Sequence, residues 1–150
     1  MSLVGDWRLE SLIDYSDESN PKYPYGRTPI GYLIVSNSGF WSVFLMNSSR
    51  IKTDAQIESD CSKDEKASMV DTFSSYVGPY DLSGNEITIH VEASLFPGWV
   101  GKDLKRTISS LTDEELILDA RVMKGNKLTH NIVRWRKSRA LNPHAPELRR

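Results

Sequence analysis

Short segments in which apolar and polar residues alternate recur along most of this 150-residue chain, and turn-forming residues separate them. A period of two residues is typical of strands, because successive side chains point to opposite faces of a sheet. Such segments are predicted at residues 5–14, 29–36, 40–46, 79–83, 86–95, 103–111, 114–121 and 129–137. Closing such a sheet on itself removes its exposed edges. We therefore predict a closed antiparallel β-barrel of about eight strands, whose interior could hold one small ligand.

One segment has helical rather than strand-like spacing. Ser62 and Glu65 match the pattern of a capping box, which begins a helix. Apolar residues then recur on one helical face, and a Gly-Pro pair follows. We predict one amphipathic helix over residues 63–77 that packs on the outer wall of the barrel. The residues expected to be buried there are Val70, Phe73 and Val77.

Length, charge and cysteine usage restrict the class of protein. A chain of 150 residues is the size of one domain, which we place at residues 1–137, with a surface tail at 138–150. The net charge of -1 favours neither nucleic acid nor an anionic membrane as partner, and no apolar run is long enough to span a membrane. Cys61 is the only cysteine, and the N-terminus lacks the pattern of a secretory signal, so a cytoplasmic location is expected.

The sequence gives no support for a cofactor or a metal. Cys61 precedes the helix but belongs to no partner motif, and His130 and His144 lack metal-ligand spacing. A glycine-rich phosphate loop is also missing. We expect neither a metal nor a nucleotide.

The segment EITIHVEASLFPGWVG, residues 86–101, carries the most chemistry. As a strand it would place four polar residues on one face, Thr88, His90, Glu92 and Ser94. The Cβ atoms of His90 and Glu92 would lie roughly 6.5–7 Å apart, which is close enough to share a ligand. Histidine titrates near neutral pH and a carboxylate can act as its partner, so the pair could transfer a proton if it faced the lumen.

The alternative is that the opposite face of this segment fills the barrel. That face is apolar and consists of Ile87, Ile89 and Val91. In a half-buried strand the apolar face normally turns to the core, which would leave His90 and Glu92 in water. The sequence by itself leaves both orientations open.

Three blocks of sequence resemble the lipocalin-like domain family, small barrels of bacteria and fungi. They are LVGDWRL (3–9), YPYGRTPIGYLIVSNSGFWSV (23–43) and the stretch from YVGPYDL to HVEASLFPGWVG (76–101). The segment NIVRWRK is similar to the closing strand of that family. The resemblance implies a barrel with a lumen for an apolar small molecule. Some fungal proteins of this appearance belong to natural-product pathways, in which small cofactor-free barrels fold or isomerise reactive intermediates.

With the resemblance included, we favour the lumen for His90 and Glu92 and predict them as the catalytic pair. Arg106 on the neighbouring strand is predicted to anchor a carboxylate, a phenolate or an enolate. A surface ion pair with Asp119 is its alternative. Trp99, in the loop after Pro97 and Gly98, is predicted to lie over the barrel mouth as a lid. Its alternative is a hydrophobic plug against the helix. The other predicted substrate-binding residues are Tyr32, Phe44, Tyr76, Tyr80 and Ser94.

The resemblance also implies that an arginine of the last strand, Arg134 or Arg136, packs across Trp7 at the closed end.

Three functions are then possible. The first is a cofactor-independent cyclase or isomerase that acts on an apolar, oxygenated metabolite. The second is a carrier that binds a similar hydrophobic small molecule unchanged, and the third is a structural domain with a filled barrel. A homodimer is left open.

Overall fold

Eight antiparallel strands close into a barrel, as the alternation predicts. The structure is a computed structural model and describes residues 2–138. The predicted tail therefore lies outside the described residues, apart from Ser138. Among the described residues, no helix is long and apolar enough to cross a membrane.

The strands follow one another around the barrel with one short addition. Their bounds are β1 (Gly5–Asp14), β2 (Ile30–Val35), β3 (Phe40–Met46), β4 (Phe73–Ser83), β5 (Glu86–His90), β6 (Ala93–Ser94), β7 (Asp103–Leu111), β8 (Glu115–Lys124) and β9 (Lys127–Lys137). The order around the wall is β1, β2, β3, β4, β5, β7, β8 and β9, and β9 pairs again with β1. The pairing of β3 with β4 completes the ring, and β6 adds a short second pairing to β4.

The inward residues of these strands form one hydrophobic core. Trp7, Leu33, Trp41, Ile87 and Leu116 are fully buried within it. Burial of a large apolar side chain contributes about 1.5–3 kcal/mol, so this core is the main source of the stability of the barrel.

One end of the barrel is closed by Trp7. Its indole N–H donates to the carbonyl oxygen of Leu3 at 2.9 Å, and the Lys137 Nζ lies 4.5 Å from the centre of its ring. The prediction of Arg134 or Arg136 at this position is therefore wrong. The alternation of β9 turns Trp135 inward, in step with Lys137, whereas Arg136 points out and pairs with Glu10 at 3.0 Å.

The predicted helix exists but is shorter than expected. Helix α1 spans Lys63–Asp71, and the capping box of Ser62 and Glu65 is confirmed. The residues after Thr72 belong instead to β4. The prediction that the helix buries three apolar residues is wrong: Val70 is 56% exposed, and Phe73 and Val77 are half-buried on β4.

Strand pairing explains why the helix stops early. Phe73 and Val77 lie opposite Met46 and Ser42 of β3, and this pairing closes the barrel. A longer helix would leave β3 as an open edge with unpaired N–H and C=O groups. Strand formation therefore overrides the helical spacing of the apolar residues.

Candidate binding cavity in the barrel lumen

A cavity of about 340 Å³ opens at the end of the barrel opposite Trp7. Its lining includes the last residue of β1, Asp14, and residues near the starts of β4 and β9, Ser74 and Thr129. In an antiparallel barrel these positions meet at one end, where the β1–β2 loop and the β5–β7 loop also gather. Tyr25 and Trp99 enter the cavity from those two loops.

The walls of the cavity are mainly apolar. The aliphatic side chains that line it are Leu12, Val43, Leu45, Leu118, Ala120, Val122 and Val133. Trp41 and Trp135 lie further from the mouth along β3 and β9. An apolar cleft with a few placed polar groups is the usual form of a small-molecule site.

Two titratable groups near the mouth have pKa values moved in opposite directions. The hydroxyl and then the backbone N–H of Ser16 donate to Asp14 and lower the pKa of its carboxyl. Burial raises the pKa of Tyr25, with a hydrogen bond to Ser74 acting the other way. At neutral pH the cavity therefore presents a carboxylate and a protonated phenol.

Arg106 on β7 is the cationic side chain of the cavity lining. Its Cα lies opposite that of Ile87, which is fully buried, and directly opposed residues of an antiparallel pair share a face. Its Nη1 donates to the carbonyl oxygen of Lys105 at 2.7 Å. None of the ion pairs formed within residues 2–138 involves Arg106. The predicted ligand anchor thus lines the cavity, while its alternative partner Asp119 contacts His130 instead.

Two further polar groups lie beside the cavity. The indole N–H groups of Trp41 and Trp135 are buried and have no acceptor among the described residues. A buried donor without a partner costs about 1–3 kcal/mol. Both indole rings line the cavity, and neither N–H group has an acceptor within residues 2–138.

The structure places His90 and Glu92 outside the lumen, so the predicted orientation is wrong. Ile87, Ile89 and Val91 face the core and are 0%, 0% and 3% exposed. Strand β5 also ends at His90, so Glu92 is not on the same strand, and Glu92 is exposed. Burial of the apolar face decided the orientation, because α1 packs beside β4 and leaves the outer wall of β5 in water.

On the outer surface His90 links three strands. Its Nε2 lies 2.7 Å from Asp81 of β4, and its Nδ1 lies 2.7 Å from Asp103 of β7. Hydrogen bonds first to Asp81 and then to Asp103 raise the pKa of the imidazole above its ordinary value of 6.5. His90 therefore joins neighbouring strands and does not line the cavity.

The other predicted binding residues divide into two groups. Tyr76 and Trp99 line the cavity and contact each other edge to face, with ring centres 5.8 Å apart. Tyr80 is behind the lining and packs against the Trp41 ring at 5.7 Å. Tyr32 and Phe44 were expected in the lumen, but both point outward and are each 42% exposed. Their strands turn Leu33 and Val43 inward, and alternation then fixes Tyr32 and Phe44 outside.

Ser94 was also predicted to bind substrate. Its hydroxyl oxygen accepts a hydrogen bond from the Phe96 N–H at 3.1 Å. It lies in a shallow groove with Phe44 and Leu95, and it is not among the residues that line the cavity. Its hydroxyl supports the turn after β6.

Several lining residues were not predicted as site residues. They are Asp14, Tyr25, Trp41, Ser74, Thr129, Asn131 and Trp135. A signal for three of them exists in the sequence. Thr129 and Asn131 continue the inward register of Val133 and Trp135, and Asp14 continues that of Leu12. A polar residue in the inward register of an apolar strand indicates a lumen lined by that residue.

Within residues 2–138, no cluster of His, Cys, Asp or Glu is suited to hold a metal ion.

The profile of a lipocalin-like domain matches residues 4–138. No curated protein matches the chain. Among solved structures, the bovine lipocalin allergen Bos d 2 is similar with a TM-score of 0.46 and 11% identity, over 93% of this chain and 75% of the allergen.

Proposed function

Because the chain belongs to the lipocalin-like domain family, we propose that its lumen binds an apolar small molecule that presents an acidic oxygen to Arg106. The cavity of about 340 Å³ is of the size that holds a small organic ligand. Its aliphatic walls suit an apolar body. The guanidinium at the mouth suits a carboxylate or a phenolate, which it can bind through two N–H groups.

The observation that carries this proposal is the state of Arg106. The side chain is half-buried in the cavity lining and forms no ion pair within the described part of the chain. A half-buried charge is costly unless an opposite charge or hydrogen bonds compensate for it, and the bond from Nη1 to the Lys105 carbonyl compensates only in part. An anionic ligand would supply that compensation and would gain orientation from it.

The test compares two probes of equal length, decanoic acid and decan-1-ol. Binding is measured by calorimetry and by tryptophan fluorescence, since three of the four tryptophans line the cavity. We expect Arg106→Met to weaken decanoic acid binding by about tenfold or more, because a charge-assisted hydrogen bond contributes about 1.5–3 kcal/mol. Binding of decan-1-ol should change little.

Lys105→Met is the matched control. Lys105 is the next residue on the same strand, but it points outward and pairs with Glu86 at 3.0 Å. The substitution Lys105→Met should leave the affinity for both probes unchanged. Equal loss of acid and alcohol in Arg106→Met would contradict the role of the guanidinium, and failure of both probes to bind the native chain would contradict the proposed function.

Catalysis is a second candidate, now with different residues. The cyclase or isomerase hypothesis relied on His90 and Glu92, which do not line the cavity. Asp14 and Tyr25 of the lining could take the roles of base and acid, but the lowered pKa of Asp14 makes it a weaker base and the raised pKa of Tyr25 makes it a weaker acid, so binding without turnover is favoured. Product analysis of a bound ketone separates the two functions, because a carrier returns its ligand unchanged.

A further inference from the structure

Two strands of the outer wall, β2 and β3, are apolar, whereas β1 and β9 beside them are polar. Strands β1 and β9 alternate in the usual way, with charged residues such as Arg8, Glu10, Arg134 and Arg136 facing water. Strand β2 does not, because every outward position holds a large apolar residue. An antiparallel sheet with one face in water normally carries polar residues there.

The apolar part of the wall is a continuous surface, which we call the β2–β3 face. Its members are the outward residues Ile30, Tyr32, Ile34, Phe40 and Phe44, which are each between 41% and 44% exposed. Tyr32 lies directly opposite Phe44, and Ile34 lies opposite Ser42. Phe44 also contacts Phe73 of β4, with ring centres 6.3 Å apart, so the apolar surface continues onto the next strand.

We propose that the β2–β3 face is the contact surface of a homodimer. Contiguous exposed apolar surface of this kind marks an interaction site on a monomer, and exposed aromatic residues are enriched at the centres of such sites. An isologous dimer places the same surface on both copies, so the surface must be complementary to itself.

Charge is what favours a second copy over another partner. The outward positions of β2 and β3 carry no charged residue, so the centre of the face brings no charge against its own copy. The rim on β1 carries Asp6, Arg8 and Glu10, and thus both signs. The Arg8 guanidinium lies over the Tyr32 ring at 5.7 Å, so each copy places one cation beside the apolar face. A rim of mixed sign fits a copy of the same chain better than a strongly acidic or basic protein.

The test is sedimentation equilibrium of the full chain at about 1–300 μM, a range that covers weak dimers. We expect a reversible monomer–dimer equilibrium for the native chain. Phe44→Lys should raise the dimer dissociation constant about tenfold or more, because a charge at the centre of an apolar contact leaves it buried and unpaired. Tyr32→Lys should act in the same direction and serves if Phe44→Lys does not fold.

Met123→Lys is the matched control. Met123 is exposed on β8, which lies across the barrel from β3 in the ring of eight strands. It introduces the same charge at a similarly exposed apolar site, and it should leave the equilibrium unchanged. Circular dichroism of each variant verifies that the barrel is folded.

Three outcomes would overturn the proposal. The native chain could remain monomeric over the whole concentration range. The dimer could be abolished by Met123→Lys and unaffected by Phe44→Lys, which would place the contact elsewhere. Finally, a native monomer could become dimeric when residues 139–150 are deleted, which would assign the β2–β3 face to the C-terminal segment of the same chain.

Discussion

At the scale of single residues, His90 shows how one side chain can be conspicuous in a sequence without belonging to a site. Its spacing from Glu92 suggested proton transfer, yet its partners are Asp81 and Asp103 on the neighbouring strands. Asp81 and Asp103 lie 9 and 13 residues from His90 in sequence, so they become its neighbours only through strand pairing. The contacts arise only because β4 and β7 flank β5 in the barrel.

This arrangement predicts a pH-dependent contribution of His90 to stability. Its pKa is raised in the folded chain, so the folded state favours the protonated imidazole. The contribution is complete below the ordinary pKa of 6.5 and is lost as the pH rises through the higher folded pKa. Urea unfolding of the native chain and of His90→Gln should therefore differ more below pH 6.5 than in alkaline solution.

A titration of the imidazole by nuclear magnetic resonance provides the control. The midpoint of His90 should lie above 6.5, and Asp81→Asn should lower it. A midpoint at or below 6.5 would show that the two carboxylates do not hold the proton in solution.

At the scale of elements, the segment from Lys63 to Ser83 shows where local pattern and pairing compete. The capping box fixes the start of α1, because both of its hydrogen bonds are formed within four residues. The end is decided by β3, which needs β4 as a partner. Sequence-local signals therefore located the beginning of the helix, and a long-range contact determined its end.

The crossing of β4 and the end of β5 gives a prediction at this scale. A Cβ on Gly78 would lie 1.8 Å from the carbonyl oxygen of His90, and that oxygen belongs to backbone. Gly78→Ala should therefore force the two strands apart and reduce the free energy of unfolding by about 3 kcal/mol. Urea denaturation measures the change.

Ser75→Ala is the control on the same strand. Ser75 is half-buried and already carries a Cβ, so its change to Ala removes only a hydroxyl and should cost less than about 1 kcal/mol. If Gly78→Ala were as mild as Ser75→Ala, β4 and β5 would be able to separate without loss of pairing, contrary to the geometry.

At the scale of the whole molecule, one end of the barrel contributes to stability and the other contributes to the ligand cavity. The closed end holds Trp7, which is fully buried and absent from the cavity lining. The open end holds Trp99, which is half-buried in the β5–β7 loop and lines the cavity. Stability and ligand binding should therefore respond to different substitutions.

Trp7→Ala should lower the free energy of unfolding by about 3–5 kcal/mol, as large-to-small changes in a core do. The affinity of the remaining folded protein for decanoic acid should not change. Trp99→Ala should have the opposite profile, with affinity lowered several-fold and a smaller loss of stability. Denaturation curves and ligand titrations on both variants check this, and an equal loss of affinity in the two would show that the ends are coupled.

The sequence by itself determined the barrel. Alternation with a period of two, repeated in short segments with turns between them, has few solutions in which every apolar face is buried and every edge is paired. Arg106, Tyr76 and Trp99 were among the predicted site residues and line the cavity, but the sequence left a surface ion pair for Arg106 and a hydrophobic plug for Trp99 equally open.

Only the tertiary structure decided which face of an ambiguous strand turned inward. For residues 86–91 there were two alternatives: the apolar face could turn to the core, or it could turn outward and be covered by the helix. The helix ended early because closure of the ring required β4, and the core then received Ile87, Ile89 and Val91. The orientation of β5 thus depended on contacts far away in sequence, and for that reason His90 lies outside the lumen.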